Sequence, residues 1–241
     1  MFVDIHTHID NQSVIKIVSD NFEEKVLKTW GVHPWDLRHF DWSEAEWRPE
    51  RSESIRQRRI NPLFEKANGK GGFLDCTSLR SVPLEMTEAF AVGEVGLDKA
   101  HKETFEQQIE VFEGMIKLSE SLKRPVIVHC VRAYSEIIEM RKKTKATMPW
   151  VIHGFNSSVE TMRQLLRYDI YISLGEILYR NENQAVKILK NIPIERLFLE
   201  TDVSGREIKD VYAKAAELMG WQLDFLCTKI CENYGRLEAA H

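Results

Sequence analysis

MFVDIHTHID, residues 1–10, combines the sequence pattern of a β-strand with two histidines, a residue type that often ligates metals. Val3 and Ile5 are apolar and β-branched, which favours a buried strand. His6 and His8 follow at a spacing of two, and residues i and i+2 of a strand point to the same face. Neutral imidazole is the commonest protein ligand of transition metals. Alone, such a pair is more typical of a strand cap beside a solvated histidine, so its role depends on the rest of the chain.

Seven further strand patterns follow, and from the fourth onward helical patterns separate them. This alternation is typical of parallel βαβ units, and eight strands in 241 residues is the size of a (β/α)8 or TIM barrel. The sequence therefore predicts an α/β fold with one domain over residues 1–241. The predicted strands are 2–6, 14–18, 26–32, 90–95, 125–129, 149–153, 170–174 and 196–201. The predicted helices are 102–122, 132–143, 158–167, 182–191, 206–219 and 221–233.

Two regions depart from a regular barrel. Only a short polar turn separates the first two strands, which leaves no room for a helix between them. Residues 36–88 connect the third and fourth strands, and some fifty residues is a long connection for an α/β unit. We expect an irregular excursion over the surface, with 44–60 and 83–89 as possible helical segments.

Composition and charge indicate an ordinary soluble protein. Hydrophobic residues make up 43% and charged residues 29%, with a formal net charge of −4. This balance gives no global attraction to nucleic acid or to an anionic membrane, although one local site can still bind nucleic acid. No apolar run reaches the roughly 18 residues of a membrane span, and no signal peptide is visible. With no paired CxxC spacing, we expect a reduced, cytoplasmic setting. Nothing in the sequence indicates an oligomeric state.

Polar side chains stand at the carboxyl ends of the predicted strands, which in a barrel converge on one mouth. Singly, each has an ordinary explanation: His129 or His153 could be a hydrogen-bonded core histidine, Glu94 a partner of a buried base, and Asp202 a helix N-cap. Burying them together is costly unless something compensates, and a divalent metal centre compensates all of them. The candidates are His6, His8, His33, Glu94, His129, His153 and Asp202.

The number of candidate ligands predicts two metals. Without His33, which is considered below as a phosphate-binding residue, four histidines and two carboxylates exceed the three protein ligands of one open catalytic site. They suffice for two metals that share a carboxylate, and Glu94, on a middle strand, is the expected bridge. The first and eighth strands are neighbours in a closed barrel, so we assign ligands from these two strands to the same metal. The predicted sets are His6, His8 and Asp202 for one metal, and His129 and His153 for the other. Zn, Mn, Mg, Fe and Ni all remain open.

The chain resembles the TatD family of metal-dependent hydrolases (TatD-related DNases) within the amidohydrolase superfamily. The resemblance implies a TIM barrel, a divalent metal centre and deoxyribonuclease activity on phosphodiester bonds. It also implies ligand roles for the six residues of the two predicted sets and their bridge. Related amidohydrolases often bridge their metals with a carboxylated lysine, whereas strand four offers Glu94, which favours the TatD-like branch. The matching motifs are DIHTHID at 4–10, GVHPW at 31–35, GEVGLD at 93–98, PVIVHC at 125–130, VIHGFNSS at 151–158 and LETD at 199–202.

The departures from the family pattern lie on the substrate-facing rim. Lys99 stands where an aromatic residue is frequent, and Val203-Ser204-Gly205 replaces a proline-containing segment. The arginine after strand five is displaced to position 132, and residues 36–88 have no clear family counterpart. These changes concern the identity of the substrate more than metal binding.

As a hypothesis, the metals lower the pKa of a water molecule and stabilise charge on a phosphoryl oxygen. Asp202 is then both ligand and general base, and Glu94 is the catalytic bridge. His33 and Arg132 are candidates for binding the phosphate of DNA or of a small phosphodiester. A turn histidine and a solvated arginine are the competing interpretations. Asp98 is expected to orient a ligand from behind.

Two alternatives remain open at this point. A metal-dependent amidase, lactonase or small phosphoesterase could use the same barrel and ligands. A degenerate, non-catalytic binding protein is the second, although all six ligand positions are intact. The basic runs at 51–59 and 141–145 could follow a DNA backbone, but a solvated helix face is the better interpretation.

Overall fold

The strands form one eight-stranded sheet in the order β1 to β8. The computed structural model describes residues 1–9, 12–18, 24–31, 33–39 and 89–240. All eight predicted strands are present, with ends shifted by a few residues, and the predicted α/β TIM-barrel fold is confirmed. The strands are β1 Phe2–Ile9, β2 Gln12–Val18, β3 Glu24–Trp30, β4 Ala91–Asp98, β5 Val126–Val131, β6 Trp150–Ile152, β7 Ile170–Leu174 and β8 Leu197–Leu199.

The first three strands differ from a regular barrel in direction. β2 pairs antiparallel with both β1 and β3, whereas β3 to β8 pair in parallel. The missing crossover helices explain this, because a short turn can only join antiparallel strands. β1 and β3 consequently point the same way, and their carboxyl ends reach the same mouth as those of β4 to β8.

The barrel is closed by a narrow seam between β1 and β8. Thr7 forms a single parallel bridge with Asp202, and the Asp202 N–H donates to the carbonyl oxygen of His6 at 3.0 Å. Behind the seam, the Tyr212 hydroxyl donates to the Val3 carbonyl at 2.9 Å and accepts from the Val3 N–H at 3.0 Å. A buried tyrosine thus fastens β1 to the helix that follows β8.

Helices alternate with the parallel strands as predicted. The predicted helix 182–191 is present as Glu182–Leu189, and a short helix that was not predicted, Ile177–Arg180, precedes it. Asn181 lies between the two and caps the second by accepting from the Gln184 N–H. Ser158 caps its helix by accepting from the Thr161 N–H. The helices are α1 Phe105–Leu122, α2 Tyr134–Thr144, α3 Val159–Leu166, α4 Ile177–Arg180, α5 Glu182–Leu189, α6 Ile208–Met219 and α7 Leu223–Glu238.

The core lies between the parallel strands and these helices. Every residue of β4, β6, β7 and β8 is buried, as expected of strands covered on both faces. Phe112 of α1 packs against Trp150 of β6 with ring centroids 5.4 Å apart. This contact joins α1 to the start of β6, the strand that leads to His153.

Most of the predicted excursion lies outside the described residues. Its start, Pro34–His39, is a 3-10 helix. The possible helix 44–60 is not described, and of 83–89 only Ala89 is, which is not helical. The single domain over 1–241 accordingly stays a prediction. Among the described helices, none combines the length and the apolarity that crossing a lipid bilayer requires.

Candidate metal centre

The buried carboxylate of Glu94 lies between two groups of histidines at the barrel mouth. Its Oε2 atom is 3.4 Å from Nε2 of His6 and 3.5 Å from Nε2 of His8. Its Oε1 atom is 2.8 Å from Nε2 of His153 and 2.9 Å from Nδ1 of His129. Each oxygen of one carboxylate therefore belongs to a different cluster of nitrogen atoms.

The first cluster is completed by Asp202, beyond the end of β8. Asp202 Oδ1 lies 3.5 Å from Nε2 of both His6 and His8. Alternation along β1 places both imidazoles on this face of the strand, as the sequence predicts. The His6 side chain is fully buried, whereas those of His8 and Asp202 are 20% and 36% exposed. The cluster thus has a closed inner side and an outer side that solvent reaches.

The second cluster includes His33 as well as the predicted His129 and His153. Nε2 of His33 is 3.1 Å from Glu94 Oε1 and 3.3 Å from His129 Nδ1. His129 Nδ1 and His153 Nε2 are 3.1 Å apart. The sequence suggested His33 as a phosphate-binding or turn residue, and the structure places it against the predicted ligands.

The atoms that face one another in these clusters suit a metal ion. They are imidazole nitrogens and carboxylate oxygens, the ligands that Zn²⁺ and similar ions take. Ligand atoms around a tetrahedral ion at 2.0–2.1 Å are separated by roughly 3.3–3.4 Å. The first cluster has separations of 3.4–3.5 Å, which match, and the second is tighter. Three groups could hold an ion: His6, His153 and Asp202; His6, His8 and Glu94; and His33, Glu94 and His129.

The two carboxylates are ionised at neutral pH. Burial would raise the pKa of Glu94, but the facing histidines, led by His153, hold it well below its usual range. Burial also opposes ionisation of Asp202, and hydrogen bonds from His6 and His8 outweigh it, so its pKa is strongly lowered. Both groups therefore offer charged oxygen atoms to a cation.

The histidines divide into two kinds. Burial disfavours a charged His129, yet Asp98 and Glu94 outweigh burial and raise its pKa to about 9. At His6, Glu94 and Asp202 outweigh burial and raise the pKa well above its usual value. For His153 burial wins over Glu94, and its pKa falls to about 4. A cation at these clusters would replace protons that His6 and His129 otherwise hold at neutral pH.

Residues 1–238 match the family model described as TatD related DNase. The chain belongs to this family. The match spans both ends of the barrel seam and every residue of the two clusters, in agreement with the resemblance seen in the sequence.

Individual relatives of this TatD-family chain are similar over part of its length. It is 35% identical over 126 residues to the 3'-5' RNA nuclease TATDN2 of Homo sapiens, which is 49% of this chain and 16% of that protein. It is 32% identical over 163 residues to the uncharacterized metal-dependent hydrolase YcfH of Escherichia coli strain K12, 61% of this chain and 62% of that protein. The aligned segments thus span less than two thirds of either relative.

A third relative and one solved structure agree with the family. The chain is 26% identical over 127 residues to the deoxyribonuclease Tat-D of Schizosaccharomyces pombe, 51% of this chain and 40% of that protein. The crystal structure of YJJV, a TatD homologue from Escherichia coli K12, superimposes with a TM-score of 0.62 at 20% identity. That superposition covers 87% of this chain and 75% of the other, and it supports the barrel fold.

Asp98 stands behind the second cluster of the TatD-family site. Its Oδ2 atom lies 3.7 Å from His129 Nε2 and accepts hydrogen bonds from Trp35 Nε1 at 2.5 Å and His101 Nδ1 at 2.9 Å. Its Oδ1 atom accepts from the Ala100 N–H at 2.7 Å. Burial opposes ionisation, but His129, together with these hydrogen bonds, keeps the pKa of Asp98 far below its usual value. The position fits the predicted orienting role.

Sequence reasoning missed Glu200, which lies behind His153. It is 1% exposed, its Oε1 accepts from the Gly154 N–H at 2.5 Å, and the same atom is 3.9 Å from His153 Nδ1. Burial raises its pKa to about 8. The available signal was LETD itself, in which Glu200 precedes Asp202 by the same spacing of two that separates His6 from His8.

Arg132 lies on the rim rather than in either cluster. It is exposed and forms no hydrogen bond or ion pair with any residue that the structure describes. It lines a cleft of about 640 Å³ together with Asn156 and Ser157. Cys130 and Gly154, which follow His129 and His153, also line the cleft. The cleft therefore begins beside the second cluster.

Proposed function

We propose that this TatD-family protein hydrolyses phosphodiester bonds of nucleic acid with the help of two divalent metal ions. One observation carries the proposal: the two oxygens of Glu94 face separate histidine clusters, at 3.4–3.5 Å and 2.8–3.1 Å. A shared carboxylate between two ligand sets is typical of two-metal hydrolases.

The ligands divide as the distances suggest. His6, His8, Asp202 and Oε2 of Glu94 would hold one ion. His129, His153 and Oε1 of Glu94 would hold the other, with His33 beside them as a further nitrogen. Mixed nitrogen and oxygen ligands suit Zn, Mn, Fe, Ni or Mg to different degrees, so the metal is a matter for measurement.

The chain's own residues would move the proton. Bound divalent ions would supply a Lewis acid that lowers the pKa of water and offsets charge on a phosphoryl oxygen. Asp202, ionised and 36% exposed to the mouth, would accept the proton of the attacking water. The water oxygen then bonds to phosphorus, the ester P–O bond breaks, and the leaving alkoxide takes a proton from solvent. Asp98 would hold the His129 ring in place throughout.

Two observations support nucleic acid as the substrate class: the named activities of two relatives, and Arg132 at the edge of the cleft beside the second cluster. The named activities of the human and fission-yeast relatives are an RNA nuclease and a deoxyribonuclease. Arg132 presents its guanidinium at the edge of the cleft, and its planar fork suits a phosphate. DNA is our first choice of substrate. The cytoplasmic location expected from the sequence stays a prediction.

The test combines metal content with a substrate panel. Elemental analysis of the purified protein should find up to two divalent ions per chain. The protein should hydrolyse single-stranded DNA or a dinucleotide, and not amides or lactones. Hydrolysis of amides or lactones alone would replace the proposal with the amidase or lactonase alternative. Bound metal without hydrolysis of any member of the panel would favour a binding protein.

A double variant locates the site. His6→Ala with His8→Ala should remove one ion and abolish hydrolysis while the circular dichroism spectrum is retained. Lys229→Ala with Glu232→Ala is the matched double control, because these two residues of α7 pair with each other and lie outside both clusters. Full activity of the double variant would contradict the proposed centre.

A further inference from the structure

One aromatic side chain stands exposed beside the candidate metal centre. Trp35 follows His33 by two residues, in the 3-10 helix Pro34–His39, and is 48% exposed. Among the tryptophans that the structure describes it is the most exposed, and Trp150 by contrast is fully buried. A large apolar ring open to water at a site mouth is a feature that binding can use.

The orientation of the Trp35 indole is fixed from one side. Its Nε1 donates to the buried Oδ2 of Asp98 at 2.5 Å, and its backbone N–H donates to Nδ1 of His33 at 3.1 Å. The ring meets His33 edge-on, with centroids 5.0 Å apart and planes at 85°. A ring held in this way loses little conformational entropy when a ligand packs on it.

The same contacts fix how near the indole is to the reacting centre. His33, against which Trp35 packs, has its other ring nitrogen 3.1 Å from Oε1 of Glu94. One imidazole ring thus separates the exposed indole from the carboxylate between the clusters. A phosphodiester bound at the proposed metal centre beside Glu94 would have its flanking nucleoside within reach of Trp35.

We propose that Trp35 is the platform on which a nucleobase next to the scissile phosphodiester stacks. The proposal rests on the proposed function and adds a specificity-determining residue to it. Every nucleobase has a flat π-face, and an indole binds that face without reading its hydrogen-bonding edge. Trp35 would therefore favour nucleotides over phosphodiesters without a base, while tolerating any base.

The experiment uses the metal-loaded protein and dinucleoside monophosphates, which contain a single phosphodiester. Three probes are compared: one with both bases, one abasic on the 5' side and one abasic on the 3' side. For the wild type, removal of one particular base should lower kcat/KM by about 5- to 150-fold, the range expected for one stacked base. Trp35→Ala should abolish that difference, whereas the loss of its N–H donor to Asp98 should lower the hydrolysis of all three probes by the same factor.

Two variants separate stacking from a structural role. Trp35→Phe keeps an aromatic face but loses the N–H donor to Asp98, so it should retain most of the preference for the base. If Trp35 acted only by positioning Asp98, Phe and Ala would lose activity equally on all probes. Phe225→Ala, which removes a 44% exposed aromatic ring from α7, is the matched control and should change nothing.

A spectroscopic readout is independent of turnover. A dinucleotide carrying 2-aminopurine at the sensitive position should lose fluorescence on rapid mixing with the wild type, because stacking quenches the base, and should keep it with Trp35→Ala. If the wild type and Trp35→Ala each hydrolyse the base-containing and abasic probes equally well, the stacking proposal is wrong and the proposed phosphodiesterase activity is retained. Hydrolysis of none of the probes by the wild type would overturn both.

Discussion

Asp202 donates its backbone N–H to the carbonyl oxygen of His6 across 3.0 Å. This hydrogen bond belongs to the narrow seam that closes the barrel, where β1 and β8 share the single bridge between Thr7 and Asp202. The side chains of the same two residues, His6 and Asp202, approach to 3.5 Å on the mouth side. The closure of the fold and the assembly of the candidate metal centre therefore occur at the same place.

Metal removal should lower the thermal stability. An ion held by both His6 and Asp202 would connect β1 to β8 and bind only the folded state. A ligand at a hundred times its Kd stabilises by about 2.7 kcal/mol. For a chain of this size that is a change of about 5–10 °C in Tm. Calorimetry before and after chelation and dialysis measures it, and an unchanged Tm would contradict a metal at the seam.

Asp202→Asn should separate turnover from folding. The amide keeps the size of the side chain and the backbone hydrogen bond to His6, but it cannot accept a proton from water. We expect kcat to fall by about 10²- to 10⁴-fold, with an unchanged circular dichroism spectrum. Steady-state kinetics on a dinucleotide, with metal content measured in parallel, provides the test. A kcat equal to that of the wild type would remove Asp202 from the role of base.

Metal affinity should rise with pH and be accompanied by proton release. In the metal-free protein the pKa of His129 is raised to about 9 and that of His6 well above its usual value. An imidazolium cannot ligate, so binding at pH 7 must displace these protons, and affinity should increase from pH 6 toward pH 9. Glu94 and Asp202, with lowered pKa values, stay ionised over this range.

Calorimetric titration with Zn²⁺ in two buffers of different ionisation enthalpy measures the released protons directly. The heat should differ between the buffers at pH 7 and much less so at pH 9.5. Affinity that is independent of pH would show that the histidines are not the ligands.

Gly96→Ala should disturb the second cluster without touching any of its side chains. A Cβ on Gly96 would overlap the backbone oxygen of His129, and the residue has a φ of +152°. The clash would push β5 away from β4 and move His129 relative to Glu94. We expect a loss of about 1–3 kcal/mol in unfolding free energy together with weaker metal binding.

Gly235→Ala is the matched control for that variant. Gly235 lies in α7, and a Cβ added there would have no atom of the described residues within 4 Å beyond its own helix backbone and chain neighbours. Alanine is a better helix former by about 1 kcal/mol, so this variant should be neutral or slightly more stable. Urea denaturation measures the unfolding free energy of both variants. An equal loss of stability in the two would contradict the prediction.

The parts of the site that the sequence could predict are those on strand ends. Alternation along β1 fixes the direction of His6 and His8, and the short apolar strands before His129 and His153 fix theirs. His33 lies three residues beyond the end of β3, where alternation no longer determines direction, so its contact with Glu94 was not predictable. Glu200 was harder to predict as part of the site, because its carboxylate is placed by the N–H of Gly154, which follows a different strand.

The direction of β2 was also beyond the strand patterns. An alternating segment has the same appearance in either direction, and only the shortness of its flanking turns indicates the antiparallel arrangement. The predicted excursion is a different case, since its polar and charged residues have no consistent period. Neither apolar alternation nor helical spacing fixes its path from residue 40 onward.

The bond between Tyr212 and Val3 has a consequence for the order of events during synthesis. The strand that carries His6 and His8 is translated first. Its contacts come from much later in the chain: Tyr212 of α6 binds Val3, and Asp202, which pairs with Thr7, lies 195 residues beyond it. A ribosome-bound chain that lacks both Asp202 and α6 can form neither contact. The first cluster, which needs Asp202 beside His6, can consequently be complete only after the chain has been translated through β8 and the helix that fastens β1.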